Sequence, residues 1–191
     1  MLPEFAENGQ PRKHTLEELF KAPAWNILTA IEHGHRARTD VKGKLAEYYL
    51  NQYMHKRRDQ IGIDSLLWSD ATGQPDFIVE IAGKTHKIEC KNIRSGDAIF
   101  RDGNFKVEIQ KTRNAIAGGP SRGYKFDEFD ILAACLFNQT GEWKFLFCST
   151  VNLERQPKHP DYLVIFQKVP PTASGHWREN LEDAIGDSIG P

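Results

Sequence analysis

Asp76, Glu89 and Lys91 are the residues of this 191-residue chain whose types and spacing offer the most chemistry. They lie near the ends of QPDFIVEIAGKTHKIECK (residues 74–91), two strand-like runs joined at Ala82-Gly83-Lys84. A hairpin turning on Gly83-Lys84 pairs Ala82 with Thr85, Val79 with Ile88, Phe77 with Cys90 and Asp76 with Lys91. Phe77, Val79, Ile81, Ile88 and Cys90 then share one face by the period-two rule, and Asp76, Glu80, Lys87, Glu89 and Lys91 the other, with Ile78 the exception. Glu80 falls opposite Lys87, a cross-strand charge pair worth roughly 0.2 to 1 kcal/mol.

Two carboxylates this close repel when both are ionised, so they call for a cation between them. Mg²⁺ suits the pair, since it prefers oxygen ligands and usually takes one or two protein carboxylates beside water and substrate phosphate. Asp76 and Glu89 are the expected ligands, with the backbone carbonyl of Cys90 as a third. Lys91 is placed to orient a water and to offset negative charge developing at phosphorus. The chemistry such a set supports is metal-assisted hydrolysis of a phosphodiester.

An element before the hairpin and several after it must frame this trio. Val41 to Lys56 reads as an amphipathic helix, with Leu45, Ala46, Tyr49, Leu50, Tyr53 and Met54 at helical spacing, and it carries Glu47. Phe105, Val107 and Ile109 alternate like a strand. Ile131 to Phe137 is a continuous apolar run of the length of a buried strand. Trp143 to Cys148 and Tyr162 to Phe166 read as further strands, with Gln139-Thr140-Gly141 as the turn between the first two. A last helix is expected over Trp177 to Ile185, after the linker Pro170 to Gly175, and Trp177 is expected to seal the core. Near the start, Thr15 to Glu18 has a capping-box pattern, Pro23 interrupts the helix it opens, and Trp25 to Ile31 resumes it.

Pro75-Asp76 followed by Glu89-Cys90-Lys91 resembles the signature of the PD-(D/E)XK nucleases, the restriction-endonuclease-like superfamily. The bare spacing is common in a chain with 27% charged residues; the hairpin, the acid-bearing helix before it and the polar Gln110-Lys111-Thr112-Arg113 after it carry the resemblance, which spans residues 41–138. It implies an α/β fold with an α-β-β-β-α-β core and a mixed sheet flanked by helices. Around that core are expected an N-terminal helical extension (1–40) and C-terminal strands and a helix (139–191), all in one nuclease domain. The resemblance would make the region of Gln110 and Lys111 a helix lining the site, where alternation suggests a strand. It also places Glu47 at a position where the family commonly has an acid, as a metal or supporting group. The function implied is a Mg²⁺-dependent endodeoxyribonuclease of the type II restriction kind, with Mn²⁺ as a possible substitute, acting as a homodimer because two strands need two sites. A Holliday junction resolvase and a catalytically silent nucleic-acid-binding module on the same fold are the alternatives.

Composition agrees with a DNA partner once it is read by region. The net charge is −1, yet residues 84–125 carry +6 and residues 126–191 carry −5. Arg94, Arg101, Lys106, Gln110, Lys111, Arg113, Arg122 and Lys125 lie in the basic stretch and are expected to contact DNA. No run approaches the roughly 20 apolar residues of a membrane helix, and the N-terminus lacks a signal peptide's pattern, so a cytoplasmic protein is expected. Cys90, Cys135 and Cys148 have neither disulfide-framework nor zinc spacing and are expected to be buried thiols.

Overall fold

The structure is a computed structural model that describes residues 13–71, 73–111 and 123–188. The chain divides into two compact units, Met1–Lys42 and Gly43–Pro191.

In the first unit, α1 (Thr15–Phe20) and α2 (Ala24–His33) are separated by Lys21 in the left-handed region and by Pro23, which cannot continue a helix. The cap of α1 is one residue earlier than expected. His14 Nδ1 accepts the Leu16 N–H at 3.2 Å, while the Glu17 carboxylate accepts the His14 N–H at 2.8 Å, so the box is His14/Glu17 and not Thr15/Glu18. Glu17 also accepts the Ala24 N–H at 2.8 Å and links the two helices. Beyond Gly34, α3 (His35–Lys56) begins six residues before the periodicity at Val41 suggests and runs into the second unit.

The second unit continues with α4 (Arg58–Ile61) and then β1 (Ile63–Trp68), β2 (Phe77–Ile81), β3 (Lys84–Asn92), β4 (Phe105–Glu108) and β5 (Ile131–Cys135). After these come α5 (Phe137–Thr140), β6 (Phe145–Ser149), β7 (Arg155–Gln156), β8 (His159–Leu163), β9 (Phe166–Val169) and α6 (Leu181–Ser188). The main sheet has the order β1-β2-β3-β5-β6, antiparallel except for the parallel pair β3 and β5. Strand β5 is buried throughout because both faces of the sheet are covered, which explains its unbroken apolar sequence. Ile131, Ala133 and Cys135 point into a core with Leu50 and Met54 of α3 and with Leu181 and Ile185 of α6. Leu132 and Ala134 point into a second core with Val107 of β4, Val169 of β9 and Trp177. All three cysteines are buried free thiols in strands of the sheet.

The β2–β3 hairpin turns two residues away from the expected register. Ile81 pairs with Lys84, Val79 with His86 and Phe77 with Ile88, so the loop is Ala82-Gly83, at φ 49° and 72°. Two successive left-handed residues match the twist of adjoining strands, and Gly83 takes the second of these positions, with Ala82 in the first, where the expected turn put Gly83 first and Lys84 second. A shift of two preserves which side chains share a face, so Phe77, Val79, Ile88 and Cys90 are all buried as expected. It does dissolve the expected Glu80–Lys87 pair: Glu80 lies opposite Thr85 and accepts from Ser65 Oγ at 3.0 Å.

Other boundaries also move. Residues 162–166 are split between the end of β8 and the start of β9, because Val164 N–H turns to the Glu154 carbonyl and the Ile165 carbonyl accepts from Ile109 N–H. Gln139-Thr140-Gly141 is the end of the short helix α5, closed by Gly141 in the left-handed region. The last helix starts at Leu181, leaving Trp177 ahead of it but buried in the core. Phe105–Glu108 is a strand paired with β9, which decides between the two readings of that region in favour of alternation.

Candidate active site

The site forms at the end of β2 and along β3. Asp76 directly precedes β2, and its backbone carbonyl accepts the Ser69 N–H at 2.9 Å, pinning it beside the end of β1. Its Oδ2 reaches across to accept the Cys90 N–H at 2.8 Å. Glu89 and Lys91 are two apart on β3 and so project to the same side. The Lys91 ammonium is ion-paired with Glu89 Oε1 and lies 3.7 Å from Asp76 Oδ2. Glu89 is 2% exposed.

Burial raises the pKa of both carboxyls above the ordinary range, against the pull of Lys91; the neighbouring Glu47 adds to the rise at Asp76, and Asp76 to that at Glu89. Desolvation alone would lower the Lys91 pKa, but Glu89 and Asp76 outweigh it and the net direction is upward. Lys91 is therefore a cation at neutral pH, suited to donating hydrogen bonds and not to accepting a proton. The cluster is short of positive charge: two carboxylates, Glu89 buried and Asp76 half-buried, share one ammonium.

Several residues around the trio had no signal in the sequence. Tyr124, just before β5, donates its hydroxyl to Glu89 Oε1 at 2.5 Å. Lys91 Nζ lies 6.0 Å and Lys111 Nζ 5.5 Å from the centre of its ring. Lys111 is paired with Glu128 Oε1 at 2.5 Å, and the other oxygen of Glu128 accepts the Lys125 N–H at 2.7 Å. On the α3 side, Glu47 is 8% exposed and faces inward, as the helical periodicity implies. Its Oε2 accepts from Trp68 Nε1 at 2.9 Å and from Lys44 Nζ at 2.9 Å, and Lys44 also holds Asp70 at 2.7 Å. The indole and Asp70 escape sequence reading because they come from β1, which has no clean alternation, and from the connection after it, while Lys44 sits on α3 itself, three residues before Glu47.

The expected DNA-contacting residues divide into groups. Gln110 and Lys111 follow β4, and Lys111 joins the trio's surroundings through Tyr124. Arg94 lies just beyond β3, 3.7 Å from Glu108 and 5.2 Å from the ring of Phe166. Lys106 is paired with Asp97 at 2.8 Å. Arg101 and Lys125 are exposed. Arg113 and Arg122 lie outside the described residues.

The donor set fits a hard divalent cation. Asp76 Oδ1 and Glu89 Oε2 take no hydrogen bond among the described residues, and both are carboxylate oxygens of the kind Mg²⁺ prefers. Among the described residues no three His, Cys, Asp or Glu side chains converge as a ready-made metal cage.

The helix, the antiparallel three-strand meander and the parallel strand that follows, with the trio at the second and third strands, define a mixed α/β protein built on a five-stranded mixed sheet flanked by helices. No family model and no curated protein matches the sequence. Among solved structures, the bacterial homing endonuclease I-Ssp6803I aligns over 76% of this chain and 85% of its own, at 16% identity and a TM-score of 0.43. At that distance no residue role is transferred from it. Among the described residues no helix is long and apolar enough to cross a membrane.

Proposed function

We propose that this chain is a Mg²⁺-dependent endodeoxyribonuclease, of the type II restriction kind, that cuts DNA by metal-assisted attack of water. The observation that carries this reading is a pair of carboxylates, Glu89 buried and Asp76 half-buried, sharing one ammonium, with one oxygen on each taking no hydrogen bond among the described residues. Asp76 and Glu89 would hold the metal, with the Cys90 carbonyl as a third ligand and Mn²⁺ as a substitute. When bound, it would polarise a phosphoryl oxygen and acidify a water.

The chain's own residues supply the rest. Lys91, a cation here, donates to the attacking water or to the phosphoryl oxygen where charge grows. Glu47, already held by Trp68 and Lys44, adds negative potential beside Asp76 and supports the site from the α3 side. Gln110, Lys111, Arg113, Arg94, Arg101, Lys106, Arg122 and Lys125 would contact DNA, chiefly its phosphates. Two copies acting together would cut both strands of a two-fold symmetric site.

The test is incubation of supercoiled plasmid and phage genomic DNA with the full chain, in Mg²⁺ or in EDTA, beside Glu89→Gln and Lys91→Met. Discrete bands in Mg²⁺ alone, absent with both variants while circular dichroism shows them folded, are expected. Cleavage by the variants at the wild-type rate refutes the site. Cleavage confined to a four-way junction replaces restriction with resolution, and no Mg²⁺-dependent cleavage of any DNA leaves the silent binding module.

A further inference from the structure

Glu89 presents two unequal oxygens. Oε1 receives both the Tyr124 hydroxyl and the Lys91 ammonium, whereas Oε2 receives nothing among the described residues. Two donors on one oxygen fix the rotation of the carboxylate, and a carboxylate so fixed offers its remaining oxygen in one direction. Tyr124 is itself held: its ring meets Phe129 edge to face at 5.3 Å and 80°, and Phe129 is buried in the core on the β4 side. The hydroxyl therefore approaches Glu89 from a packed wall, with little side-chain freedom left to lose when the bond forms.

Lys91 cannot do this alone. Its ammonium is shared with Asp76 at 3.7 Å, and a flexible four-carbon stem lets it move toward either acid. Among the described residues the phenol bonds only Glu89, and it comes from a separate segment of chain, so it holds the carboxylate wherever the ammonium goes.

We infer that Tyr124 is a positioning residue for the proposed metal site, holding Glu89 Oε1 so that Oε2 is the oxygen offered to the cation. This rests on the nuclease reading above. Groups that orient a metal ligand typically matter by 10- to 100-fold in metal affinity. Removing the hydroxyl while keeping the ring thus isolates the effect.

The experiment measures Mn²⁺ binding to the full chain by the electron paramagnetic resonance of free Mn²⁺, for wild type, Tyr124→Phe and Phe129→Leu. Thermal midpoints and Mg²⁺-dependent cleavage are recorded in parallel. The expected result for Tyr124→Phe is a Mn²⁺ dissociation constant raised about tenfold or more. Its thermal midpoint should stay close to wild type, and kcat at saturating metal should fall by less than the affinity does. Phe129→Leu keeps the hydroxyl and loosens its support, so it should lower the midpoint more and the affinity less. Wild-type affinity in Tyr124→Phe overturns the inference, as does a loss of affinity that tracks the midpoint equally in both variants. A wild-type chain that neither binds Mn²⁺ nor cuts DNA overturns the nuclease reading and this inference with it. Binding and cutting by wild type, with Tyr124→Phe unchanged, overturns the inference alone.

Discussion

Replacing Lys91 with Met removes one charge from the centre of the site and keeps an unbranched side chain in its place. At 3.7 Å, with an effective dielectric constant of about 20, the attraction between Lys91 and Asp76 is on the order of 4 kcal/mol before desolvation is counted. Breaking a buried ion pair from one side costs about 3–5 kcal/mol, because the surviving charge is left without a partner. Here two carboxylates are left, and proton uptake by one of them would relieve part of the cost. A loss of about 3 kcal/mol at neutral pH without metal is expected, or roughly 6–12 °C in a unit of this size. The pH dependence has a definite sign. Burial already raises Asp76 and Glu89 above their unfolded pKa values, so the folded state binds protons more readily and loses stability as pH climbs through the raised values. Without Lys91 those values move further up. The deficit of Lys91→Met against wild type should then be largest at neutral pH and shrink as pH falls toward the ordinary carboxylate range. Thermal unfolding of both proteins in EDTA across that range measures it. Equal midpoints at neutral pH, or a deficit that does not change with pH, would refute the account of the site as one buried and one half-buried acid sharing one cation.

The hairpin and the thiols make two further predictions. Gly83→Ala should cost about 1–2 kcal/mol in urea unfolding, because φ is +72° there, while no atom within 4 Å obstructs a Cβ. Cys90, Cys135 and Cys148 are buried, and burial pushes Cys135 up to about 11, Cys148 up to about 12 and Cys90 well upward. A thiol-specific chromogenic disulfide should therefore titrate no cysteine in the native protein at mild alkaline pH, and all three after unfolding.

The site residues were legible where period and face determine position. Asp76, Glu89 and Lys91 converge even though the turn sits one residue earlier than expected and the pairing shifts by two, because a shift of two leaves every side chain on its expected face. Glu47 was reached only through the family resemblance, which places an acid on that helix, whereas β5 was legible from its unbroken apolar run. Tyr124 was not legible: no periodicity leads to it, and it reaches Glu89 only after β5 has paired with β3, 43 residues apart from Ile88 to Ile131. Strand β1 was missed for a different reason. It is an edge strand with Asp64, Ser65, Leu67 and Trp68 exposed, so its sequence lacks the alternation of a half-buried one. The pairing of the basic stretch was not legible either, since Arg94, Lys106 and Lys111 are each matched by an acid that only the fold brings near.

Lys44 has one end of its pairing in shelter and the other in water. Its link to Glu47 meets a side chain only 10% exposed, while its link to Asp70 meets one 87% exposed. Dissolved salt screens exposed charges over about 8 Å at physiological strength and much less reaches a sheltered pair. Raising ionic strength should therefore release Asp70 and the β1–β2 connection that carries it, while Glu47 keeps its hold on the same ammonium. The stretch leading to Pro75 and Asp76 is thus tethered by a bond that the surrounding electrolyte can loosen, with its anchorage on the helix left in place.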